Sequence, residues 1–319
     1  MAENILITSA GRRGKLVRIF QEAAPAKVFT TDLRPELASA CVISDGSFEV
    51  PRVTEADYIP RILEICQANE IGLIVPTIDT ELLVLAENRE RFAEADIKCV
   101  VSDPALIRIC RDKRLTHDFF IERGLGSPAL NDPRDDPKFP LFAKPYDGSC
   151  SINLHVLSSE TDLTPALLDD SKLIFLDYLD PADHDEYTID MFYDRDGNLR
   201  CLVPRLRLET RGGEVSKGRT IWLPAFEKIR QQLLKLEGAR GCLTAQFFHH
   251  RESDEIYGIE INPRFGGGFP LSCDAGANYA DWVIREYLRG ESIDWFDGWE
   301  RDLTMLRYDD HVLVRNSDS

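Results

Sequence analysis

The feature that most constrains this chain is a change in the spacing of its apolar residues near position 105. Before that point short apolar runs alternate with stretches of helical periodicity. Residues 5–9 (ILITS), 27–31 (KVFTT), 73–76 (LIVP) and 97–101 (IKCVV) read as buried strands. Residues 14–24, 56–69 and 80–93 read as helices, the second with Ile59, Ile62, Leu63 and Cys66 on one face. Strands that alternate with helices predict a parallel, Rossmann-like sheet. Beyond it, 104–110 and 112–123 read as helices, followed by the polar, proline-rich stretch 131–137. Strands at 139–144 and 150–157 then flank a Pro145–Ser149 turn, and strands at 173–179, 187–193 and 199–208 follow. The turn Asp194–Asn198 separates the last two. A helix at 225–238, strands at 242–250 and 256–262, a glycine-rich loop, a helix at 277–289 and a strand at 303–315 complete the chain. The expected architecture is an α/β domain followed by an α+β part with antiparallel sheets, without internal repeats.

Charge narrows the function. With 38 Lys+Arg against 55 Asp+Glu the chain carries −17, which argues against nucleic acid as the main ligand, since phosphate neutralisation needs a basic face. The length of 319 residues and 43% hydrophobic content fit a globular protein of about two domains. No apolar run approaches the roughly 18 residues of a membrane span, and the N-terminal segment has no basic-then-apolar signal. The cysteines at 41, 66, 99, 110, 150, 201, 242 and 273 form no CxxC pair. That pattern suggests a reducing cytoplasm and disfavours zinc.

Two segments carry candidate chemistry. Ser9-Ala-Gly11-Arg12-Arg13-Gly14 follows a strand and opens a helix, with Asp32 further on. This is the setting of a dinucleotide fingerprint whose first glycine is replaced by Ser9. The same loop also reads as an anion site built from Arg12, Arg13 and the helix N-terminus, or as a tight turn with solvated arginines. The second segment is the pair of strands bearing Gln246 and Glu260-Ile261-Asn262-Pro263-Arg264. A hairpin centred on Ser253 sets Gln246 across from Glu260, and period-2 alternation puts Asn262 on the same face. Three oxygen donors then converge, a set suited to Mg²⁺ that takes its other ligands from phosphate and water. A Glu260–Arg264 pair is the rival arrangement.

Taken in order, several segments resemble the ATP-grasp superfamily, in particular its carbamoyl-phosphate-synthetase large-subunit-like branch. They are Cys110–Thr116, the strand ending in Lys144-Pro145 with its loop to Ser149, Phe175–Asp180 followed by Glu186, and Gln246 with Glu260-x-Asn262-x-Arg264. The resemblance covers nearly the whole chain and implies a pre-ATP-grasp domain at 1–108 and an ATP-grasp domain at 109–319. The latter would divide into a lid-like subdomain, 109–180, and a metal-binding subdomain, 181–319. It implies Lys113 and Lys144 on nucleotide phosphates, with Gly148 and Ser149 in a loop closing over them. Asp177 and Leu179 would form the adenine hinge, where relatives usually start with Glu, and Glu186 would meet the ribose. Gln246, Glu260 and Asn262 would hold Mg²⁺, or Mn²⁺. Arg264 and Arg205 would act on the transferring phosphoryl group, with Arg207 and Lys217 as alternatives for the second cation. Arg12, Arg13, Asp79 and Glu81 would be acceptor-side candidates.

The activity implied is a ligase that uses ATP to activate a small-molecule carboxylate as an acyl phosphate for attack by an amine or related nucleophile, releasing ADP. One such unit in 319 residues disfavours carbamoyl phosphate synthesis, which uses two. The competing expectations are an ATP-binding or carbamoyl-phosphate-synthetase-like subunit without its own ligase activity, and a nicotinamide dehydrogenase. The assembly is left open, a homodimer included.

Overall fold

The computed structural model describes residues 3–148 and 152–315. Its first part contains β1 (Asn4–Thr8), α1 (Gly14–Ala23), β2 (Val28–Asp32), α2 (Ser39–Ile43), β3 (Gly46–Glu49) and α3 (Tyr58–Ala68). It continues through β4 (Ile71–Pro76), α4 (Asp79–Glu87), α5 (Arg89–Glu94) and β5 (Lys98–Cys99). The five strands form one parallel sheet in the order β3-β2-β1-β4-β5. β1 and β4 are almost wholly buried, as expected for parallel strands covered on both faces. The helix expected at 80–93 is interrupted at Asn88, whose side chain turns back to the Val84 carbonyl. β3 and α2 had no clear sequence signal: β3 is an edge strand that is only half-buried.

Two helices, α6 (Pro104–Arg111) and α7 (Lys113–Glu122), lead to the second part. The expected boundary at 108 falls inside α6. Phe120 of α7 packs on Phe247, so the body of α7 leans on the large sheet described next. Gly258 makes this contact possible, because a Cβ there would lie 2.4 Å from the Phe120 ring.

The lid is a four-stranded sheet ordered β6 (Leu130–Asn131), β9 (Leu173–Asp177), β7 (Leu141–Pro145) and β8 (His155–Leu157), with α8 (Pro165–Asp169) beside it. Leu141, Ala143, Leu157, Leu173 and Phe175 face its own small core. Phe142, Lys144 and Leu176, on the alternate positions, face the other way.

The large sheet runs β14 (Ile256–Asn262), β13 (Gly241–His250), β10 (His184–Tyr193), β11 (Leu199–Arg211), β12 (Glu214–Thr220) and β15 (Thr304–Leu306), all antiparallel. One face packs Tyr187, Ile189, Met191, Leu243, Ala245, Phe247 and Ile261 over α9 (Phe226–Gln232). Each of the Ile, Met, Leu and Phe side chains contributes about 1.5–3 kcal/mol when fully buried. The other face is polar and lines a cleft. The strand expected at 199–208 runs on to Arg211 as β11, and the chain returns as β12 in a hairpin turning at Gly212-Gly213. The helix expected at 225–238 and the strand expected at 303–315 are shorter than their patterns suggested. The glycine-rich segment contains a short helix, α10 (Phe269–Asp274), and α11 (Tyr279–Arg289) packs back on the parallel sheet and α1.

Candidate functional site

The Gln246–Glu260 pairing expected from the sequence is present, but its origin differs. Near the turn the strands pair as His249↔Ile256 and Phe247↔Gly258. Continued unchanged, that register would put Ile259 opposite Gln246. An extra residue in β14 at Ile259 shifts it, so that Gln246 faces Glu260 and Thr244 faces Asn262. Such a bulge turns consecutive side chains toward one side, and Ile259 and Glu260 both line the cleft. The Asn262 amide donates to Glu260 at 3.1 Å, and the Gln246 amide donates to Glu186. Among the described residues no group of three or more His, Cys, Asp or Glu could hold a metal. A single carboxylate with two amides is therefore a partial, all-oxygen donor set. It fits a hard divalent ion that completes its shell with phosphate and water, and it is too sparse for a dedicated protein cage.

Two cavities open on this face and share Lys113, Gly148, Arg207, Gly213, Gln246 and Glu260. The outer one, about 460 Å³, lies between lid and large sheet, with Phe142, Leu154 and Leu176 on one wall and Phe248 and Ile259 on the other. Asp177 and Leu179 border it as β9 ends; the Asp177 N–H donates to the Ala129 carbonyl and its carboxylate accepts from Asn131. An apolar slot ending in a strand edge suits a planar base. Glu186 also borders this cavity and pairs with Arg207 at 2.6 Å. Burial raises the Glu186 pKa and Arg207 opposes the rise.

The cations sit where the cavities meet. The Lys113 N–H donates to the Tyr146 carbonyl and its ammonium donates to Gly148 O at 2.6 Å, so the start of α7 is tied to the lid turn. Lys113 Nζ lies 3.9 Å from Glu260, and burial lowers its pKa. Lys144 is 6% exposed, has no ion-pair partner within 4.0 Å among the described residues, and is held down to about 8 by burial. Arg111, which the sequence reading passed over, lines the inner cavity and donates to Asp147 O. Its position directly before Asp112-Lys113 was the available signal. Ser149, along with Cys150 and Ser151, lies outside the described residues.

The inner cavity, about 420 Å³, reaches the parallel sheet. Arg264 does not pair with Glu260. It forms a fork with Asp79 at the start of α4, with Nε–Oδ1 at 3.1 Å and Nη2–Oδ2 at 2.6 Å. Arg205 is 1% exposed and binds Asp190 through Nε and Nη2 at 2.9 and 3.0 Å. Thr244 and Ser272 also donate to Asp190, so that carboxylate is fully used. The remaining Arg205 Nη1 is buried without a partner. It sits against Gly268, where a Cβ would lie 2.1 Å from it. Arg207 lines both cavities, whereas Lys217 points to Glu209 on the exposed side of the hairpin.

The N-terminal loop differs from a dinucleotide site. The Asp32 carboxylate accepts from the Gly11 and Arg34 N–H groups, which closes the turn. Arg13 lines the inner cavity and donates to Phe265 O, while Arg12 is exposed and pairs with Glu214. Glu81 is not an acceptor-side group. It is fully buried and accepts from Ser9, Tyr58, Thr77 and Ile78, and burial raises its pKa.

Residues 5–100 match the family model "PylC-like, N-terminal domain", and residues 169–305 match "ATP-grasp in the biosynthetic pathway with Ter operon". No curated protein matches the chain in sequence. The fold matches the biotin carboxylase domain of Hydrogenobacter thermophilus 2-oxoglutarate carboxylase, solved with MgADP and bicarbonate. That match has a TM-score of 0.71 at 14% identity, over 95% of this chain and 73% of that one. It also matches Staphylococcus aureus N5-carboxyaminoimidazole synthetase with ADP (0.70, 15%, 92% and 79%). A third match is an L-amino acid ligase from Bacillus licheniformis (0.69, 15%, 90% and 74%).

Proposed function

We propose that this chain, an ATP-grasp protein, is an ADP-forming ligase that joins a small-molecule carboxylate to an amine or related nucleophile. The observation that carries this reading is the continuity of the two cavities through one polar face. An apolar slot, a group of cations and the Gln246–Glu260–Asn262 donor set lead in that order to a second, polar chamber. That is the layout required for a base, a polyphosphate and an acceptor in line. Two of the solved structures of the same fold, a biotin carboxylase domain and an N5-carboxyaminoimidazole synthetase, carry MgADP or ADP, and a third is an L-amino acid ligase.

Phosphoryl transfer depends on positioning and charge neutralisation more than on covalent help from the protein. In this reading Phe142, Leu176, Phe248 and Ile259 clasp the base, and the backbone at Asp177–Leu179 meets its edge. Lys113 and Lys144 take the phosphates, with Arg111 and the backbone at Gly148 beside them. Glu260, Asn262 and Gln246 hold the divalent ion, Mg²⁺ by preference, which neutralises phosphate charge when bound. A carboxylate oxygen of the acceptor attacks the γ-phosphorus, the bridge to the β-phosphate breaks, and ADP leaves. The amine nitrogen then bonds to the acyl carbon as phosphate departs with the bonding pair. Arg205, through its unpartnered Nη1, and Arg264, held rigid by Asp79, stabilise charge on the transferring group. The lid excludes water from the acyl phosphate.

Among the described residues no helix is long and apolar enough to cross a membrane. The seven described cysteines are free thiols, buried or half-buried, which favours a reducing, cytoplasmic setting. A nucleotide-binding module without chemistry would not need the inner chamber. The test is Mg²⁺-dependent ADP release stimulated by an added acid, with hydroxylamine trapping the activated acyl group as a hydroxamate. Loss of both in Glu260→Ala is expected; ADP release unaffected by that substitution would refute the reading.

A further inference from the structure

The inner chamber has an unequal charge balance. Its carboxylates are already neutralised: Asp79 by the Arg264 fork, and Glu214 by Arg12 at 3.2 Å and Arg307 at 3.3 Å. Burial, which would raise the Glu214 pKa, is outweighed by these arginines and Arg13, so its carboxylate is held below the usual range. Glu260 belongs to the metal-binding donor set. An incoming ammonium group therefore finds no open carboxylate in the chamber.

The cations are not balanced in the same way. Arg13 lines the chamber with no carboxylate within 4.0 Å among the described residues, and the one hydrogen bond of its side chain is a 3.3 Å contact to Phe265 O. Burial and the nearby Arg264 charge hold its pKa down to about 10 against the opposing pull of Glu214, Asp79 and Glu81, none of which pairs with it directly. The second unmatched group is Arg205 Nη1, on a side chain that is 1% exposed. A buried donor without a partner is unfavourable, and an incoming anion would relieve it. The two groups reach the chamber from opposite parts of the molecule, Arg13 from the start of α1 and Arg205 from β11. Arg111 also lines the chamber without a carboxylate partner within 4.0 Å among the described residues, but at the end next to the lid turn, where its guanidinium donates to Asp147 O.

We infer that the acceptor carries two anionic groups: a carboxylate that reacts beside Arg205 and a second acidic group held by Arg13. This deepens the ligase reading and rests on it. It excludes as the preferred acceptor a simple monocarboxylic acid or an α-amino acid with a neutral side chain, neither of which supplies the second anion. The polar wall around Thr77, Thr80 and Gly266–Gly268 points to a short, hydrophilic connection between the two charges.

The test is calorimetry on the full chain with MgADP present, titrating the dicarboxylates malonate to adipate against monocarboxylates of matched length. At least one dicarboxylate is expected to bind roughly tenfold or more tightly than its monocarboxylate partner, the effect of one charge-assisted hydrogen bond. Arg13→Gln is expected to remove that preference and Arg13→Lys to retain part of it. MgADP titration and the melting temperature of each variant report whether the cleft is intact. Equal binding of both acid series by wild type, including no binding of either, would overturn the inference. So would a dicarboxylate preference that survives Arg13→Gln. Failure of the wild type to bind MgADP would instead remove the ligase reading itself.

Discussion

The two ends of the cleft use their cations in opposite ways. At the nucleotide end the Lys113 ammonium donates to Gly148 O and lies 3.9 Å from Glu260, and Lys144 has no ion-pair partner within 4.0 Å among the described residues. At the acceptor end Arg264 and Arg205 are locked in bidentate pairs with Asp79 and Asp190. A flexible point charge suits a polyphosphate that arrives and leaves, whereas a clamped guanidinium suits a geometry that must be ready before the reaction. The difference also divides stability from binding: at the inner end Arg264–Asp79 ties the large sheet to the parallel-sheet domain and Arg205–Asp190 ties β11 to β10, whereas the lysines at the outer end are left for ligand.

The largest expected effect follows from the inner end. Asp190→Asn removes the charge that balances a fully buried Arg205 and should cost about 3–5 kcal/mol, read as a lower melting temperature and urea midpoint. A change within 1 kcal/mol would mean that the pair is not structural. Next, Glu260→Ala should reduce kcat/KM for ADP release by about 10²–10³-fold with a melting temperature close to wild type. At the outer end, Lys144→Ala should weaken MgADP binding by about 1.5–3 kcal/mol, measured by calorimetry, without disturbing the inner pairs. The same lysine gives a pH dependence. Burial lowers its pKa to about 8, so the free protein loses this charge as pH rises through 8. Bound phosphate restores the proton. Affinity should therefore fall above pH 8, by up to about tenfold per unit, with proton uptake seen as a buffer-dependent heat. The smallest effect is expected for Lys217→Ala. Its ion pair with Glu209 is exposed on the hairpin, and such pairs contribute about 0–1 kcal/mol. ADP release should stay within about twofold of wild type.

The comparison also explains what could be read from the sequence. The parallel sheet was legible because β1 and β4 are buried on both faces and show as continuous apolar runs. The donor set was legible because Gln246, Glu260 and Asn262 follow strand alternation. The Ile259 bulge was not, since an inserted residue leaves no mark in a pattern that reads the same on either side of it. Long-range pairs were equally hidden. Nothing near Arg264 in the chain names Asp79, 185 residues away, and nothing near Arg205 names Asp190 across a strand pair. β12 was missed because Gly218 and three charged residues interrupt its alternation. The final strand was over-extended because Thr304–Leu306 has a neighbour in β12, whereas the similar pattern after it has none in the described sheet.

The central claim is an ADP-forming activation of a carboxylate, and identification of the nucleotide product tests it most directly. Full-length protein would be incubated with MgATP, a panel of short dicarboxylic acids and hydroxylamine, and the nucleotides and hydroxamates separated by chromatography. ADP and a hydroxamate formed in equal amounts, both dependent on the acid and on Mg²⁺, are the predicted result. AMP and pyrophosphate in place of ADP would contradict the account.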